Sequence, residues 1–140
     1  MISPADMAAT HAAAFTQARP WSAGEFAELL AQRFCHAEGD RSCFALFRVI
    51  ADEAELLTIA THPDLRRQGR AKNCMLRWHD RARNLGATQA FLDVAADNHA
   101  ALALYSAIGY TENGRRPQYY PRAGAAPCDA VLMTCDLSQG

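Results

Sequence analysis

Residues 57–72 read LTIATHPDLRRQGRAK, a strand pattern that runs through an arginine-rich turn into a helix. Ala54–Thr61 predicts the strand, and His62-Pro63-Asp64 ends it. Beyond Gly69, apolar side chains recur at steps of three and four, which predicts a helix that Gly86 caps at its carboxyl end. These apolar positions are Ala71, Cys74, Met75, Trp78, Ala82 and Leu85.

Four basic side chains, those of Arg66, Arg67, Arg70 and Lys72, surround Gly69 in this turn. The first turn of a helix has unpaired backbone N–H groups and the positive end of the helix dipole, and both attract anions. Glycine lets the backbone approach a ligand closely, and arginine adds paired donors. The turn therefore predicts a phosphate or pyrophosphate site, although it contains neither GxxxxGK[ST] nor GxGxxG. The alternative is an ordinary solvated basic face.

Downstream of this turn, Thr88–Val94 predicts a short strand, and Asp97-Asn98 begins a helix that Gly109 ends. Tyr110–Asn113 and Asp129–Asp136 predict the last two strands. Between them we expect a long loop at 114–128 with three prolines and two adjacent tyrosines, and loops of that length are usually functional or disordered.

Upstream, Ser3-Pro4-Ala5-Asp6 predicts the start of a helix that runs to about Ala14. Ser22–Glu25 is a capping box for a second helix, and Trp21 and Phe26 form its hydrophobic staple. The strands then begin, with a hairpin of 33–37 and 41–51 turning at 38–40, followed by a tight turn at 52–53.

The order helix, helix, hairpin, strand, helix, strand, helix, strand, strand predicts an α/β (α+β) fold with a mixed sheet. The hairpin supplies antiparallel strands, and the strand–helix–strand unit requires a parallel pair with a right-handed crossover. Because the pattern opens on a helix, we expect a first strand to be missing or vestigial. The 140 residues contain no repeat or linker and predict one domain over residues 1–140.

Composition excludes several functions. Fourteen Lys+Arg against fifteen Asp+Glu give a net charge of −1, so the chain is not a basic nucleic-acid binder. No apolar run approaches the roughly 20 residues that span a bilayer, and the N-terminus does not have the pattern of a secretory signal. We therefore expect no nucleic-acid partner, no membrane partner and a cytoplasmic location.

The cysteines and histidines do not form a metal-binding or disulfide pattern. The five cysteines are odd in number and include no CxxC pair, so we expect buried, reduced thiols. The five histidines have no ligand spacing, and we expect no metal.

Several motifs resemble the GNAT acetyltransferase superfamily. Arg66-x-x-Gly69-x-Ala71 is similar to the acyl-CoA loop Q/R-x-x-G-x-G/A of that family, and residues 57–63 resemble its fourth strand and strand exit. Leu92-Asp93-Val94 resembles its fifth strand. Asn98 and the segment Ala103-Leu104-Tyr105-x-x-x-Gly109-Tyr110 resemble its N-x-x-A-x-x-L-Y-x-x-x-G-F helix.

A narrower resemblance points to one branch of the family. Arg19-Pro20-Trp21-Ser22 and the segment 115–121 resemble the bacterial ribosomal-protein-alanine N-acetyltransferases. The likeness covers about residues 3–137. It implies the GNAT acyl-CoA N-acyltransferase fold, a central mixed sheet flanked by helices. It also implies direct attack of an amine on acetyl-CoA in a ternary complex. The implied amine is the N-terminal alanine of a ribosomal protein, presented as a peptide to a monomer or weak dimer.

The resemblance also implies roles for individual residues. Asp93 is the implied general base and Tyr105 the general acid; Trp21, Tyr119 and Tyr120 line the acceptor cleft. The implied acetyl-CoA contacts are Ile59, Ala60, Thr61, Arg66, Arg67, Gln68, Gly69, Arg70, Ala71, Lys72 and Asn98. The periods of the strand and the helix agree with these roles. In the strand, Asp93 shares a face with Phe91, and in the helix Asn98 and Tyr105 are almost two turns apart, so they lie on the same side.

The chain departs from the family at two positions. Ala71 replaces the second glycine of the loop, and Asp93 stands where the alanine acetyltransferases usually carry glutamate. Because aspartate is one methylene shorter, we expect a bridging water, and we expect Asp93 to be partly buried between helices. The rival base is Glu55, expected on the same face as Leu57, Ile59 and Thr61.

Other functions stay open at this level. The acceptor could be a small-molecule amine or a lysine side chain, or the domain could be a non-catalytic acyl-CoA sensor. An RNA-contacting face along residues 66–83 is disfavoured by the acidic pI and by the lack of interleaved aromatic residues. Tyr105 could be a core residue, and Trp21 could serve only as the staple.

Overall fold

The computed structural model describes residues 2–15, 19–66 and 68–138. These residues form, in chain order, α1 (Pro4–Ala14), α2 (Ala23–Ala31), β1 (Cys35–Gly39), β2 (Cys43–Ile50), β3 (Glu53–Thr61), a 3₁₀ turn (Pro63–Leu65), α3 (Arg70–Asn84), β4 (Gln89–Ala95), α4 (His99–Ile108), β5 (Thr111–Tyr120) and β6 (Cys128–Asp136).

The strands form one mixed sheet in the order β1-β2-β3-β4-β6-β5. Every neighbouring pair is antiparallel except β3 and β4, which are parallel and joined through α3. The predicted antiparallel front and parallel centre are therefore confirmed. The described chain also opens on a helix, as predicted.

The two N-terminal helices begin where their caps predict. The Ser3 hydroxyl accepts from the Asp6 N–H at 3.1 Å, and Pro4 follows it. Ser22 and Glu25 form the reciprocal capping box, with bonds of 3.2 and 3.0 Å. The rings of Trp21 and Phe26 lie 5.5 Å apart, so the staple contact is present.

The predicted loop at 114–128 is wrong over its first half. Residues 114–120 continue β5 along β6, and the connection is only 121–127. Two register shifts interrupt this pairing, at Glu112/Arg115 and Arg116/Tyr120. Pro117 is tolerated there because β5 is an edge strand, where a missing N–H need not break the ladder.

The hairpin turns also lie slightly later or earlier than predicted. Glu38 and Gly39 belong to β1, and the turn falls at 40–42 because the Asp40 carboxylate accepts from the Ser42 N–H at 2.8 Å. The next turn is centred on Ala51, whose φ is +56°, and β3 starts at Glu53.

The sheet has a core on each face. On one face α3 and α4 pack around Trp78, Phe47 and Tyr105. On the other face α1 and α2 pack around Met7, Phe26 and Phe44. Four of the five cysteines are buried and all are free thiols, as predicted.

A bulge in β3 changes which face its side chains occupy. Leu46 pairs with Thr58 and Phe47 with Leu56, so Leu57 is the extra residue. Leu56 packs in the α3–α4 core and Leu57 against the α1–α2 core, as in a regular strand. Ile59, two residues after Leu57, packs against the α3–α4 core instead of sharing the face of Leu57, so the alternation is reset between them. The expectation that Glu55 shares one face with Leu57, Ile59 and Thr61 is therefore wrong.

The parallel pair separates part-way along its length. β3 and β4 pair only at Glu53–Gln89, Ala54–Ala90 and Glu55–Phe91. Beyond this point β3 stays with β2 as far as Thr61, and β4 stays with β6 as far as Ala95. A wedge therefore opens in the sheet between residues 56–61 and 92–95, and the facing backbone edges have no strand partner among the described residues.

Two buried histidines hold the helices to the sheet. His11 Nδ1 accepts from the Trp21 N–H at 3.1 Å, so its proton lies on Nε2, 3.2 Å from the Thr58 hydroxyl oxygen. His79 Nε2 lies 2.7 Å from the Tyr110 hydroxyl oxygen. Burial lowers the pKa of each histidine to about 4.

Mild acid should therefore destabilise the fold. A histidine in the unfolded chain has a pKa near ~6.5. As the pH falls below that value, the unfolded chain binds protons that the folded chain does not bind, and the equilibrium shifts toward unfolding. At pH 5 we expect the free energy of unfolding to be lower than at pH 7 by about 1–2 kcal/mol for each buried histidine. Urea midpoints at pH 7, 6 and 5 measure this, and a flat series would contradict it.

Candidate active site

The start of α3 has the features of an anion site. Gly69 is its N-cap with φ +74°, and it has no side chain to cap the helix. The first helical bond is Asn73 N–H to Gly69 O, so the N–H groups of the first turn keep no partner within the helix. A Cβ built on Gly69 meets no atom within 4 Å, so the space in front of this turn is open.

The basic side chains of the loop have different surroundings. Arg70 donates to the Ser42 hydroxyl at 3.1 Å and to Gln68 at 3.3 Å, which ties the loop to the β1–β2 turn. Arg66 donates to the Ala14 carbonyl at 3.2 Å and so ties the loop to α1. Lys72 is exposed, Ala71 packs against the α3–α4 core, and Arg67 lies outside the described residues. The backbone of the turn, more than its side chains, is available to a ligand.

The wedge lies beside this turn and contains three more of the predicted acetyl-CoA contacts. Ile59, Ala60 and Thr61 lie in the last part of β3, past its final pair with β4. The 3₁₀ turn and the Gly69 loop follow directly. An extended ligand could enter the wedge and form hydrogen bonds with the free backbone edge of β3, in the way that an added strand does.

Tyr105 is buried, with 6% of its surface exposed, in the core beneath the wedge. Its hydroxyl makes no hydrogen bond with a described residue, and no fully buried side-chain nitrogen or oxygen in the described part lacks such a bond. The hydroxyl therefore faces accessible space. Burial raises the pKa of Tyr105 above its ordinary value, with smaller contributions from Tyr120 and Cys43, so the group is protonated at neutral pH.

Asp93 lies on the opposite face of β4 from Leu92 and Val94, as its period predicts. The expected partial burial is wrong, because Asp93 is exposed. The reason is the placement of the helices: α1 packs against β3 and α2 against β1, and neither covers β4. The carboxylate is open to solvent and to an approaching amine.

Tyr120 connects the two candidate catalytic residues. It is half-buried, and burial followed by the charge of Asp93 raises its pKa to about 12. Tyr120 in turn contributes to the raised pKa of Tyr105. Tyr119 is 49% exposed, and its ring meets that of Tyr120 edge-on at 5.1 Å. The two tyrosines were predicted to line the acceptor cleft, and that role stays a prediction.

Two predicted contacts are engaged within the protein. The Asn98 side chain caps α4 by accepting from the Ala101 N–H at 3.2 Å. Trp21 stacks on His11 with ring centroids 5.2 Å apart, besides its contact with Phe26. Both residues can still present an edge to a ligand, and their binding roles stay predictions.

Glu55 is poorly placed to act as the rival base. It forms a salt bridge with Arg48 across β2 and β3. Its carboxylate is therefore occupied by the Arg48 guanidinium and is not free to meet an approaching amine.

Sequence reasoning missed the role of His11, which fixes the segment before α2, and an ion pair between Arg122 and Asp97. A lone histidine in a helix gives no sequence signal of this kind. Arg122, directly after Tyr119-Tyr120-Pro121, was a usable signal for the ion pair, because an arginine in a connection that packs against the protein surface needs a partner.

Comparison with known proteins establishes the family. The model of the acetyltransferase (GNAT) family matches residues 9–110, and the chain belongs to this family of acetyltransferases. It is 34% identical to the [ribosomal protein bS18]-alanine N-acetyltransferase of Escherichia coli strain K12, over 94% of this chain and 90% of that protein. The predicted family and fold are confirmed.

Solved structures agree with this assignment. The crystal structure of the ribosomal-protein-S18-alanine N-acetyltransferase from Escherichia coli superposes with a TM-score of 0.87 at 30% identity, covering 98% of this chain and 89% of that one. Arabidopsis thaliana NAA60 in complex with acetyl-CoA superposes with a TM-score of 0.79 at 15% identity, covering 96% and 95%, which shows the shared fold alone.

Among the described residues, no three or more His, Cys, Asp or Glu side chains are grouped to hold a metal ion. None of the described helices combines the length and apolar character needed to cross a bilayer.

Proposed function

We propose that this acetyltransferase transfers the acetyl group of acetyl-CoA to the N-terminal alanine of a ribosomal protein, with the bS18 homologue as the first candidate. The identity to bS18-alanine N-acetyltransferases over nearly the whole chain supports this acceptor. The observation that carries the proposal is the wedge between β3 and β4, which opens beside the uncapped start of α3 and has Asp93 and Tyr105 at its walls.

The residues present fit acetyl-CoA. The uncapped N–H groups and open space at Gly69 suit a pyrophosphate, and the free edge of β3 at 59–61 suits the amide-bearing arm. When bound, acetyl-CoA supplies the acetyl group as a thioester. Asn98 and the loop residues 66–72 complete the proposed contacts.

The proposed chemistry divides the proton transfers between two residues. Asp93 accepts a proton from the acceptor ammonium, directly or through a water, and frees the lone pair that forms the new C–N bond. As the C–S bond breaks, Tyr105 donates its hydroxyl proton to the departing sulfur, and the nitrogen releases its second proton, which restores the Tyr105 hydroxyl. A backbone N–H of 59–61 polarises the carbonyl that is attacked. Solvent exposure of Asp93 allows its proton to be released after each turnover.

The acceptor cleft is proposed to lie between Tyr119–Tyr120 and the segment around Trp21. Aromatic side chains bury the small apolar side chain of alanine without adding charge near its amine. A protein substrate in the cytoplasm fits the free thiols of this chain, which a reducing compartment preserves. All proposed site residues come from one chain, so a monomer or weak dimer suffices.

A panel of peptides tests the acceptor. The protein is incubated with acetyl-CoA and peptides that match the N-termini of ribosomal proteins, and acetylation is read by mass. We expect the peptide of the bS18 homologue to be acetylated, and its analogue with an acetyl-blocked N-terminus but free lysines to be inert. Acetylation of the blocked peptide would favour the lysine alternative. Acetyl-CoA binding without any transfer would favour the sensor.

Acetyl-CoA binding should depend on Gly69. Saturating acetyl-CoA at about 100 times its Kd should stabilise the protein by about 2.7 kcal/mol. Gly69→Asn should abolish this shift, because asparagine tolerates the positive φ while its side chain fills the space open to the pyrophosphate.

The matched control for this variant is Gly124→Asn. Gly124 has a similar φ of +71° and an equally open Cβ position, but lies in the β5–β6 connection. We expect Gly124→Asn to keep the acetyl-CoA shift in a thermal melt. An undiminished shift in Gly69→Asn would place the nucleotide elsewhere.

A further inference from the structure

Arg122 and Asp97 form a two-pronged ion pair at the edge of the site. Arg122 Nε donates to Asp97 Oδ2 and Nη2 donates to Oδ1, both at 2.9 Å. The third guanidinium nitrogen donates to the Pro121 carbonyl at 2.9 Å. Only 15% of the Arg122 side chain is exposed, which is little for an arginine in a surface connection. This geometry fixes both the position and the plane of the guanidinium.

The pair joins the segments that carry the proposed site residues. Asp97 follows β4 and lies four residues after Asp93, directly before the cap of α4. Arg122 lies two residues after Tyr120, and its guanidinium carbon is 5.9 Å from the centre of the Tyr120 ring. The ion pair thus links the base-bearing strand to the tyrosine segment, 25 residues apart in sequence.

A second carboxylate anchors the other end of the tyrosine segment. The Gln118 N–H donates to Asp129 Oδ1 at 3.0 Å, and Gln118 has a φ of +53°. Around these anchors, β5 pairs with β6 at Arg116 and not again until Tyr120. The ladder therefore holds this bulged segment weakly, and the two carboxylates supply the missing restraint.

We propose that the Asp97–Arg122 pair positions the acceptor, by fixing Tyr120 against the β4–α4 connection that follows Asp93, so that the amine of the first acceptor residue meets the carboxylate. This inference rests on the proposed function. Both residues act through Tyr120 and are positioning residues. Asp97 is 47% exposed and the pair joins two surface segments outside both cores, so its loss should change acceptor binding more than unfolding.

The test compares Asp97→Asn and Arg122→Gln with wild type, using acetyl-CoA and the bS18-type N-terminal peptide. We expect the KM for the peptide to rise about tenfold, since small misplacements of a bound group weaken its productive binding. The KM for acetyl-CoA should stay within about twofold. The matched control is Glu112→Gln. This variant removes the carboxylate partner of another arginine, Arg115 of β5, at a position away from the tyrosines. We expect it to leave both values unchanged.

The exchanged pair Asp97→Arg/Arg122→Asp gives the decisive comparison. Restoration of the peptide KM to within about threefold of wild type supports positioning by the pair. A wild-type peptide KM in both single variants would overturn the proposal. So would an exchanged pair no better than the singles, or a loss of acetyl-CoA binding equal to the loss of peptide binding.

Hydrogen exchange separates this inference from the proposed function. The amides of residues 118–120 and 122 should exchange faster in Asp97→Asn than in wild type or Glu112→Gln. If wild type acetylates no peptide, the proposed function fails, while this measurement still shows whether the pair holds the segment. Unchanged exchange in Asp97→Asn would overturn the inference whatever the acceptor.

Discussion

Tyr105→Phe is expected to lower kcat by about 10²–10⁴-fold, the range for loss of one proton-transfer group. The substitution removes only a hydroxyl that makes no hydrogen bond with a described residue, so the fold should be preserved. Acetyl-CoA binding, measured by thermal shift, should persist, because the proposed nucleotide contacts are backbone groups at 59–61 and 67–72. Steady-state kinetics with a saturating peptide measure the effect.

Tyr110→Phe is the matched control for this prediction. The two tyrosine rings are 5.7 Å apart in the same core, but the Tyr110 hydroxyl is bonded to His79. Removing it leaves a buried ring nitrogen without its partner and should cost about 1–3 kcal/mol of stability with little change in kcat. Equal activity in Tyr105→Phe and wild type would make Tyr105 a core residue and remove the proposed acid.

Asp93→Ala is expected to lower kcat by at least about 10²-fold, while acetyl-CoA binding and stability stay near wild type. Its carboxylate is exposed and is the proposed acceptor of the ammonium proton. Asp93→Glu should keep or improve activity, because the added methylene restores the reach of the family's glutamate. Initial rates for both variants across a pH series measure the loss and its recovery.

Glu55→Gln is the control that separates the two candidate bases. Like Asp93→Ala, this variant removes one negative charge, but from a carboxylate that is paired with Arg48. We expect Glu55→Gln to keep most of the activity. Full activity in Asp93→Ala together with its loss in Glu55→Gln would reverse the assignment. A folded but inactive Asp93→Glu would mean that the site is shaped around the shorter acid.

Local sequence signals located most of the elements. The caps at Ser3, Ser22 and Asn98 and the glycines after α3 and α4 gave helix limits close to those observed, because caps satisfy backbone groups of adjacent residues. The parallel pair was predicted from chain order, since a strand–helix–strand unit within one sheet favours parallel strands with a right-handed crossover. The α3 loop motif and the Tyr105 helix motif were enough to indicate the acyl-CoA family.

Long-range packing accounts for the features that were mispredicted. The bulge at Leu57 arises from the register with β2, so nothing within β3 announces the switch of faces that separates Glu55 from Ile59. The exposure of Asp93 depends on where α1 and α2 dock, several elements away. Prolines and glycines at 114–120 suggested a loop, yet hydrogen bonds to β6 extend the strand through them.

The amino-acid sequence was therefore sufficient for the family, the mixed sheet and the identity of the residues that we propose for catalysis, because these depend on local periodicity, caps and motifs. It was not sufficient for the arrangement of those residues. The wedge between β3 and β4 and the Asp97–Arg122 pair join segments far apart in the chain. Such contacts depend on the register of the whole sheet and on where the helices pack, which no local pattern encodes.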